Sequence, residues 1–591
     1  KYSLLEVLDQ TRTSPGARKL RRWILTPLKE RAAIELRLAS VEALYRDQVL
    51  LARLREALGS VLDLERLTAR VAMDRAHAKD LLAIRGTLAA ALSLGDLLSR
   101  EGSADARGDL KRLAGPLELR KGEMREMADL LARAIAEEPA IVLTEGNLIR
   151  GGFDAELDRL QALKDNARDV LESYLAEERR ETGISSLKLR YNRIIGYYFE
   201  VTKSNLSLVP SRFIRRQSLV GGERYTTDRL ADLESELNNA SERIVEIEKG
   251  LFLAVRSSVK EAVPWLLGIS EAVSELDVFQ SLAFAATVHG YTRPEVSDDG
   301  ELSIVEGRHP VVEAHLPGGA FVPNSISCPA EGRFFAIITG PNMAGKSTFL
   351  RQVALIALMA QVGSFVPAAR AKVGIVDAVF CRVGATDNLA RGESTFLVEM
   401  NETAHILRSA TSRSLVIMDE IGRGTSTRDG LAIAWAVCQY ILAKIGARTL
   451  FATHFHELTG LAHEHAANFS MEVRDEDGEI VFLKRVREGP SSNSYGIHVA
   501  RLAGLPAETL AYAEKMLEEL NVGTAVMGSQ VPQGGPPQGQ KPTARPQRRL
   551  FSAEELIARE IMSLVPDRMT PLEALSAIAR WKNELAKEKT D

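Results

Sequence analysis

Apolar residues recur every three or four positions through most of the first 150 residues, as in Val41 to Leu58 and Met124 to Ile135. Strand-like alternation is scarce there, so the stretch predicts a helical domain, with Ser14-Pro15-Gly16 as a break or helix start. From Phe153, the set Leu157, Leu160, Ala167, Val170, Leu171 and Tyr174 marks one face of an amphipathic helix. The pattern changes between Arg180 and Tyr225. Gly183, Gly196, Gly221 and Gly222 punctuate short runs, Leu187 to Tyr191 and Tyr197 to Val201, that alternate or cluster β-branched and aromatic residues as small strands do. Helical spacing returns at Leu230 and continues through Leu233, Leu237, Ala240, Ile244, Ile247, Leu251 and Ala254, the seam of a packed helix pair. A helix from about 230 to 259 would be roughly 45 Å long. The economical geometry is two long antiparallel helices with a small β-rich module at their tips.

A boundary rich in Gly and Pro near Gly290 to Pro310 leads into alternating strands and helices up to about Leu520, which implies an α/β layer on a mainly parallel sheet. Residues 524–547 are rich in Gly, Pro and Gln and read as a flexible linker, with a short helical tail from Ser552. At 591 residues the chain exceeds a single core. Its formal net charge of −4 excludes a globally basic nucleic-acid binder, so any such surface must be local. Cys328, Cys381 and Cys438 lie far apart, form no metal or disulfide pattern, and suit a reducing cytosol. No apolar run reads as long enough to cross a membrane, and no signal peptide is visible. The chain starts at Lys1, without a methionine, directly in a segment that reads as structured, which suggests a piece of a longer protein.

The most specific chemistry lies in Gly340-Pro341-Asn342-Met343-Ala344-Gly345-Lys346-Ser347, between a strand-like run, Phe334 to Thr339, and a helix-like run from Thr348 to Ala360. Glycines let such a loop turn its backbone N–H groups onto phosphate oxygens. Lys346 would reach the outer phosphates, Ser347 would ligate Mg²⁺, and the helix N-terminus would add partial positive charge. ATP or a close relative is the expected ligand. The apolar strand Ser414 to Met418 ends in Asp419 and Glu420, where the first carboxylate suits the metal and the second the attacking water. A further strand, Thr449 to Thr453, ends at His454, placed to contact a γ-phosphate. Ser394 heads the helix-like run through Met400, an arrangement that suits an anion, and Gly422 to Thr427 reads as a nucleotide-sensing loop.

In this order the motifs resemble an ATPase of the ABC class, and more closely the MutS mismatch-repair family. The resemblance rests on Thr339 to Thr348, Ser394 to Met400, Asp419 to Thr427, Phe451 to Phe455, Ser494-Tyr495-Gly496-Ile497 and Gly504-Leu505-Pro506. The family usually has Gly where this chain has Ala344, a mild departure. The resemblance implies a homodimer in which each serine-headed helix completes the neighbour's site, with Ser394 on the γ-phosphate bound by the partner's Lys346. It also implies that Phe321 stacks on adenine, and that residues 484–520 include a helical segment burying the dimer interface.

Between Arg179 and Arg229 there are 11 Lys and Arg against 4 Asp and Glu, a basic island that could grip a phosphate backbone without reading sequence. Its arginines lie among Tyr191, Tyr197, Tyr198 and Tyr225. The segment resembles the family's DNA clamp through Lys188, Asn192, Gly196-Tyr197-Tyr198 and Arg215-Arg216-Gln217, and the expected duplex contacts are Lys188, Arg190, Asn192, Arg193, Arg212, Arg215 and Arg216. Gln547, Leu550 and Phe551 fit a QxxLF peptide that docks onto a replication sliding clamp, and Pro566 to Leu575 resembles a terminal module supporting tetramers.

The expected architecture is multidomain. A helical core and lever (1–172 and 230–290) carries an inserted β-rich clamp (173–229). An α/β P-loop ATPase of ABC type (291–523), the linker (524–547) and a docking and helical module (548–591) follow. No Phe-x-Glu mismatch wedge or connector domain is recognisable, so the resemblance implies a bacterial member's lever, clamp and ATPase portion. It would be a DNA-dependent ATPase using Mg²⁺, with a MutL-type partner, in the cytoplasm at the nucleoid. A recombination-type homologue, a non-catalytic scaffold that uses ATP only to dimerise and, less compatibly, a transporter ATPase remain open from the residues alone.

Overall fold

The structure, a computed structural model, describes residues 2–100, 107–192, 194–329, 331–341, 344–384, 395–476, 479–490, 496–527 and 581. Asn342, Met343, Arg193, Ser394, the docking peptide and the C-terminal module apart from residue 581 lie outside the described residues. The protein is rich in helix, with several sheets.

The N-terminal half opens with α1 (Leu4–Leu8), α2 (Ser14–Leu25), α3 (Arg31–Arg46), α4 (Gln48–Leu58) and α5 (Leu64–Ala72). It continues through α6 (Ala78–Arg100), α7 (Arg107–Leu119) and α8 (Lys121–Ala134). Thr13 caps α2 by accepting from Gly16 N–H, with Pro15 in the first turn, where its missing N–H costs nothing. The run from Val41 to Leu58 is broken at Asp47, whose side chain accepts from Leu50 N–H and starts α4. One sequence expectation needs correction. Ala78–Ser99 is long and apolar enough to cross a membrane by length and composition. In this fold Leu81, Ile84, Leu88, Ala91, Leu94 and Leu98 are buried in the main core.

The two long helices are α9 (Ala155–Thr182) and α10 (Asp228–Glu261). They run antiparallel, because residues late in α9 meet residues early in α10. Tyr174 Oη lies 2.7 Å from Thr227 Oγ1, and Arg229 donates to Glu177 at 2.9 Å. Farther along, Glu248 of α10 accepts from Leu148 N–H, just before α9, at 3.3 Å. The buried line of α10 is Ala240, Ile244, Glu248, Phe252, Val255 and Val259, so the seam passes through Phe252 and Val255 while Ala254 is exposed. Val170 likewise faces solvent, whereas Leu171 and Tyr174 are buried.

Between these helices the chain forms β1 (Lys188–Asn192), β2 (Gly196–Thr202), β3 (Ile214–Ser218) and β4 (Gly222–Thr226), an antiparallel sheet in the order β1-β2-β4-β3. Its own small core joins Phe199, Val201, Phe213 and Tyr225 to Leu171 and Tyr174 of α9 and Leu230 of α10. Tyr198 and Tyr225 are thus buried rather than spread among the surface arginines.

The last long helix of this half, α11 (Val263–His289), is apolar nearly all round and buries Leu266, Ile269, Val273, Leu276, Phe279 and Leu282. Its Asp277, fully buried, is a polar hub. It accepts from Arg12 N–H, Thr13 N–H, the Thr13 hydroxyl and Gln280, at 2.6–2.9 Å for the shortest contact of each.

The α/β half contains β5 (Glu295–Ser297), β6 (Leu302–Gly307), α12 (Pro310–Ala314), β7 (Asn324–Cys328), β8 (Phe335–Thr339) and α13 (Lys346–Val362). Then follow β9 (Arg370–Gly374), β10 (Val379–Arg382), α14 (Thr395–Ser409), β11 (Leu415–Asp419), α15 (Thr427–Tyr440) and β12 (Arg448–Ala452). It ends with β13 (Ala466–Glu476), β14 (Glu479–Glu488) and α16 (Gly496–Leu502). The main sheet has the order β10-β11-β12-β8-β13-β14, parallel except for β14. A second sheet has the order β5-β9-β6-β7.

Strand alternation divides the main sheet between two cores. Ala336, Ile338, Leu415, Ile417, Leu450 and Ala452 join the core shared with α13 and the N-terminal helices, while Phe335, Ile337, Val416, Met418 and Phe451 pack on Ala434, Val437 and Cys438 of α15. From Glu508 a separate compact unit begins. Its described part is residue 581 and α17 (Ala507–Met527) from Glu508 on, a helix that runs past residue 524, where the sequence read as a linker.

Replacing Asp277 by Ala would leave two backbone N–H groups and the Thr13 hydroxyl without this acceptor, and the Gln280 amide with only the Gln10 carbonyl. We expect a loss on the order of 3 kcal/mol, read as a lower unfolding midpoint by circular dichroism, with Asp277→Asn milder. An unchanged midpoint for Asp277→Ala would show that the hub is not needed for stability.

Candidate nucleotide site

Parallel pairing brings the chemistry together. Asp419 is in register with Ala452, and Glu420 N–H donates to Ala452 carbonyl at 2.9 Å. Thr453 N–H donates to Ile338 carbonyl at 3.0 Å, so the carboxyl ends of β8, β11 and β12 lie side by side. The loop after β8, the Asp-Glu pair after β11 and His454 after β12 therefore share one edge, the usual ligand edge of an open α/β sheet.

The loop has glycines where only glycine fits comfortably. Gly340 has φ +138° and lies so close to Met471 that a Cβ would sit 2.9 Å from the Met471 Cβ, and Gly345 has φ +101°. Ala344 is fully buried, so its extra methyl is accommodated. Lys346, the first residue of α13, is buried, and its ammonium donates to the carbonyls of Gly340 at 2.6 Å and Pro341 at 3.1 Å. Burial pulls its pKa below the usual lysine value, while Glu420 and Asp419 pull it back up.

Ser347 donates its hydroxyl to Asp419 Oδ2 at 2.5 Å. Asp419 Oδ1 is buried and has no hydrogen-bond partner among the described residues. Burial pushes this carboxyl above the usual range, with the Ser347 hydrogen bond opposing the rise. An unpartnered buried carboxylate oxygen beside a serine hydroxyl at the phosphate loop fits a magnesium ion. Among the described residues no cluster of three or more His, Cys, Asp and Glu could hold a metal. Magnesium commonly takes one or two protein oxygens and completes its shell with phosphates and water.

Glu420 has φ +56°, uncommon for a residue with a side chain. Its carboxylate is ion-paired with Arg423. His454 is exposed to solvent, yet the protein packed around it lowers its pKa from the usual histidine value, with Glu420 opposing the shift. Ser347, Asp419, Glu420 and Arg423 line a cleft of about 470 Å³ together with Arg351, Arg382 and Glu399.

A second cleft, about 190 Å³, borders the loop and is lined by Phe321, Val322, Gly345, Thr348 and Lys484 among others. Asn324 fixes Phe321's segment, since its side chain donates to Lys484 carbonyl at 2.9 Å and accepts from Val486 N–H at 2.7 Å. Sequence reading missed Lys484, Arg351, Arg382 and Glu399 as site residues. Lys484, with φ +55°, sits in a hairpin far along the chain, and no local motif marks it. Glu399 stood within the Ser394 motif without a role of its own.

Among the expected duplex contacts, Lys188 and Arg216 are exposed, and their side chains make no ion pair or hydrogen bond among the described residues. Arg190 pairs with Glu200 at 3.1 Å and Arg215 with Glu223 at 3.6 Å. Arg212 is committed to Glu178 at 2.8 Å and Glu181 at 2.7 Å on α9. Asn192 accepts from Ile194 N–H at 2.9 Å and shapes the β1–β2 turn.

Fold and site together define a P-loop nucleotide-binding protein of the α/β class. Residues 336–521 match the family described as MutS domain V, and residues 1–283 match MutS domain III. The chain is 49% identical over 601 residues to the DNA mismatch repair protein MutS of Treponema pallidum (strain Nichols), covering 99% of this chain and 66% of that relative. It is 46% identical over 610 residues to the DNA mismatch repair protein MutS of Myxococcus xanthus (strain DK1622), covering 99% and 67%. A similar match, 46% over 610 residues, covers 99% of this chain and 68% of the Anaeromyxobacter dehalogenans (strain 2CP-C) protein of the same name. The chain belongs to the MutS family of DNA mismatch repair proteins, and it spans about two thirds of the length of the curated relatives it matches.

Magnesium should strengthen ATP binding through Asp419. Asp419→Asn is expected to remove most of that strengthening, about tenfold or more, while leaving metal-free nucleotide affinity near wild type in fluorescence titrations. Because burial raises the Asp419 pKa, the carboxylate is ionised above that raised value and the magnesium effect is lost as pH falls through it. Metal dependence unchanged in Asp419→Asn would remove Asp419 from the metal site.

Proposed function

We propose that this chain is an ATP-hydrolysing DNA clamp of mismatch repair that acts as a homodimer. The observation that carries the reading is the convergence of Lys346, Ser347, Asp419, Glu420 and His454 on one sheet edge, in a fold unit that also holds the long helices and the basic β module. The phosphate loop cradles the nucleotide, with Gly340, Pro341, Asn342, Met343, Ala344, Gly345 and Thr348 supplying backbone and Lys346 meeting the outer phosphates. Phe321 stacks on adenine in its cleft. Ser347 and Asp419 hold Mg²⁺, which when bound offsets phosphate charge. Glu420 takes a proton from a water whose oxygen bonds to the γ-phosphorus as the bond to the ADP oxygen breaks, giving ADP and phosphate. His454 orients the γ-phosphate.

Ser394 of each protomer completes the partner's site, in line with the family resemblance. Nucleotide state then moves the α9–α10 levers and opens or closes the module around double-stranded DNA. The unpaired side chains Lys188 and Arg216 lead the backbone contacts, and Arg190, Asn192, Arg193, Arg212 and Arg215 contribute to them. On the resemblance alone, the chain works with a MutL-type partner and docks on a sliding clamp through Gln547, Leu550 and Phe551. The same resemblance has it assemble further to tetramers in the cytoplasm near the nucleoid. The domain boundaries given from sequence are carried over on that basis.

Glu420→Gln should lower kcat for ATP about a hundredfold or more and leave nucleotide affinity intact. A scaffold that uses ATP only to dimerise would lose nothing, and that outcome would end the enzymatic reading.

For DNA, Lys188→Ala with Arg216→Ala should weaken binding equally on a homoduplex and on the same duplex with one mismatch. The double variant should also flatten the salt dependence by about one unit of slope per lost contact. Affinity and salt slope both unchanged would move the DNA surface elsewhere.

A further inference from the structure

Glu399 lies in the second turn of α14, and Arg382 ends β10. Their side chains are only 6% and 5% exposed, and they pair through Glu399 Oε2 and Arg382 Nη2 at 3.3 Å. The other carboxylate oxygen, Oε1, accepts from the backbone N–H of Gly422 at 2.5 Å. Gly422 stands two residues beyond Glu420, so this buried acid is attached to the segment that aims the expected base.

The segment is held from two further sides. Gly422, with φ +89°, packs so tightly on α15 that an added Cβ would lie 2.5 Å from the Gly430 carbonyl oxygen. At Gly424 an added Cβ would lie 2.9 Å from the Cβ of Phe396, in the first turn of α14. Glu420 itself keeps a positive φ, a conformation that persists only where surrounding contacts enforce it. A buried ion pair is poor evidence for stability, since apolar residues often serve a core as well. This one also lines the cleft of Ser347, Asp419 and Glu420.

We propose that Glu399 is a positioning residue for water activation. It holds the Glu420–Gly424 segment through the Gly422 N–H, while Arg382 fixes the orientation of its carboxylate. The same contacts make α14 and the segment move together, so a nucleotide that shifts one shifts the other. The proposal rests on the ATP-hydrolysing reading above.

The test uses the full chain with Mg²⁺ and ATP, measuring kcat, KM, affinity for a fluorescent ATP analogue and the unfolding midpoint. Glu399→Ala removes the acceptor and should lower kcat about tenfold to a hundredfold with nucleotide affinity within about twofold. Glu399→Gln keeps an oxygen for Gly422 N–H and should recover most of kcat. Asn401→Ala, a change at an exposed position of the same helix away from the Arg382–Glu399 pair, should leave kcat unaltered. If Glu399→Ala fails to fold, Glu399→Asp, a methylene too short to reach Gly422, should show the same loss of kcat. The idea is overturned if Gln rescues no better than Ala or Asp, or if kcat falls only in step with affinity. An inactive wild-type chain would count against the hydrolytic reading itself, a result distinct from either.

Discussion

The site depends on one constraint, the parallel register of β8, β11 and β12 within a sheet buried on both faces. Parallel strands that begin together also end together, and here those ends carry the phosphate loop, Asp419-Glu420 and His454. Both faces must be covered for that register to hold. Alternate residues of β8 enter two different cores, with Ala336 and Ile338 on one side and Phe335 and Ile337 on the other. A one-residue slip of β11 would exchange Ile417 with Val416 and Met418 between those cores and draw Asp419 back from the edge.

The same covering links the site to the helical half. α13 starts at the phosphate loop and ends beside the N-terminal helices. Leu28 N–H donates to Gln361 carbonyl at 3.0 Å, Gln361 donates back to Leu28 carbonyl at 2.8 Å, and Arg37 donates to Val362 carbonyl at 3.0 Å. Arg37 is itself stacked 3.4 Å from the Trp23 ring centroid, and Trp23 packs on Phe279 of α11. A displacement at the loop therefore meets packed side chains the whole way to the central helix. Close-packed interiors transmit such displacements instead of absorbing them.

What the sequence made legible was local. A strand followed by glycines and Lys346, or by two carboxylates, announces its position because a short motif and a hydrophobic run suffice. The long helices were legible for the same reason, since spacing of three and four along Leu230 to Leu251 needs no knowledge of the partner. What escaped reading was set by tertiary context. Asp47 breaks a continuous apolar pattern because its side chain caps the next helix better than it continues the last. Glu248 enters a seam that apolar spacing had assigned to its neighbours, because Leu148 and Ile149 present backbone donors there. α6 reads as a membrane-length helix because a core helix and a spanning helix satisfy the same composition test. Lys484 and Glu399 are separated by long stretches of chain from the groups they meet.

Charge was the least legible property of all. The basic island between Arg179 and Arg229 counts every arginine alike, but the structure divides them by partner. Glu178 is nearly buried on α9, and taking Arg212 from it would strand a charge in the joint between helix and module. Arg229 is bound to Glu177 of the same helix and lies over the Tyr174 ring, and Arg224 lies over Tyr198. These arginines hold the module to its levers and to itself. An arginine already neutralised by a carboxylate releases little on meeting a phosphate, because it must first give up that partner. The electrostatic reach of the module therefore resides in fewer side chains than its composition implies: Lys188, Lys203 and Arg216, with Arg180 near the end of α9, are exposed and make no ion pair among the described residues. Arg212 and Arg229, held by carboxylates of α9, instead fix how firmly those cations are carried at the end of the levers.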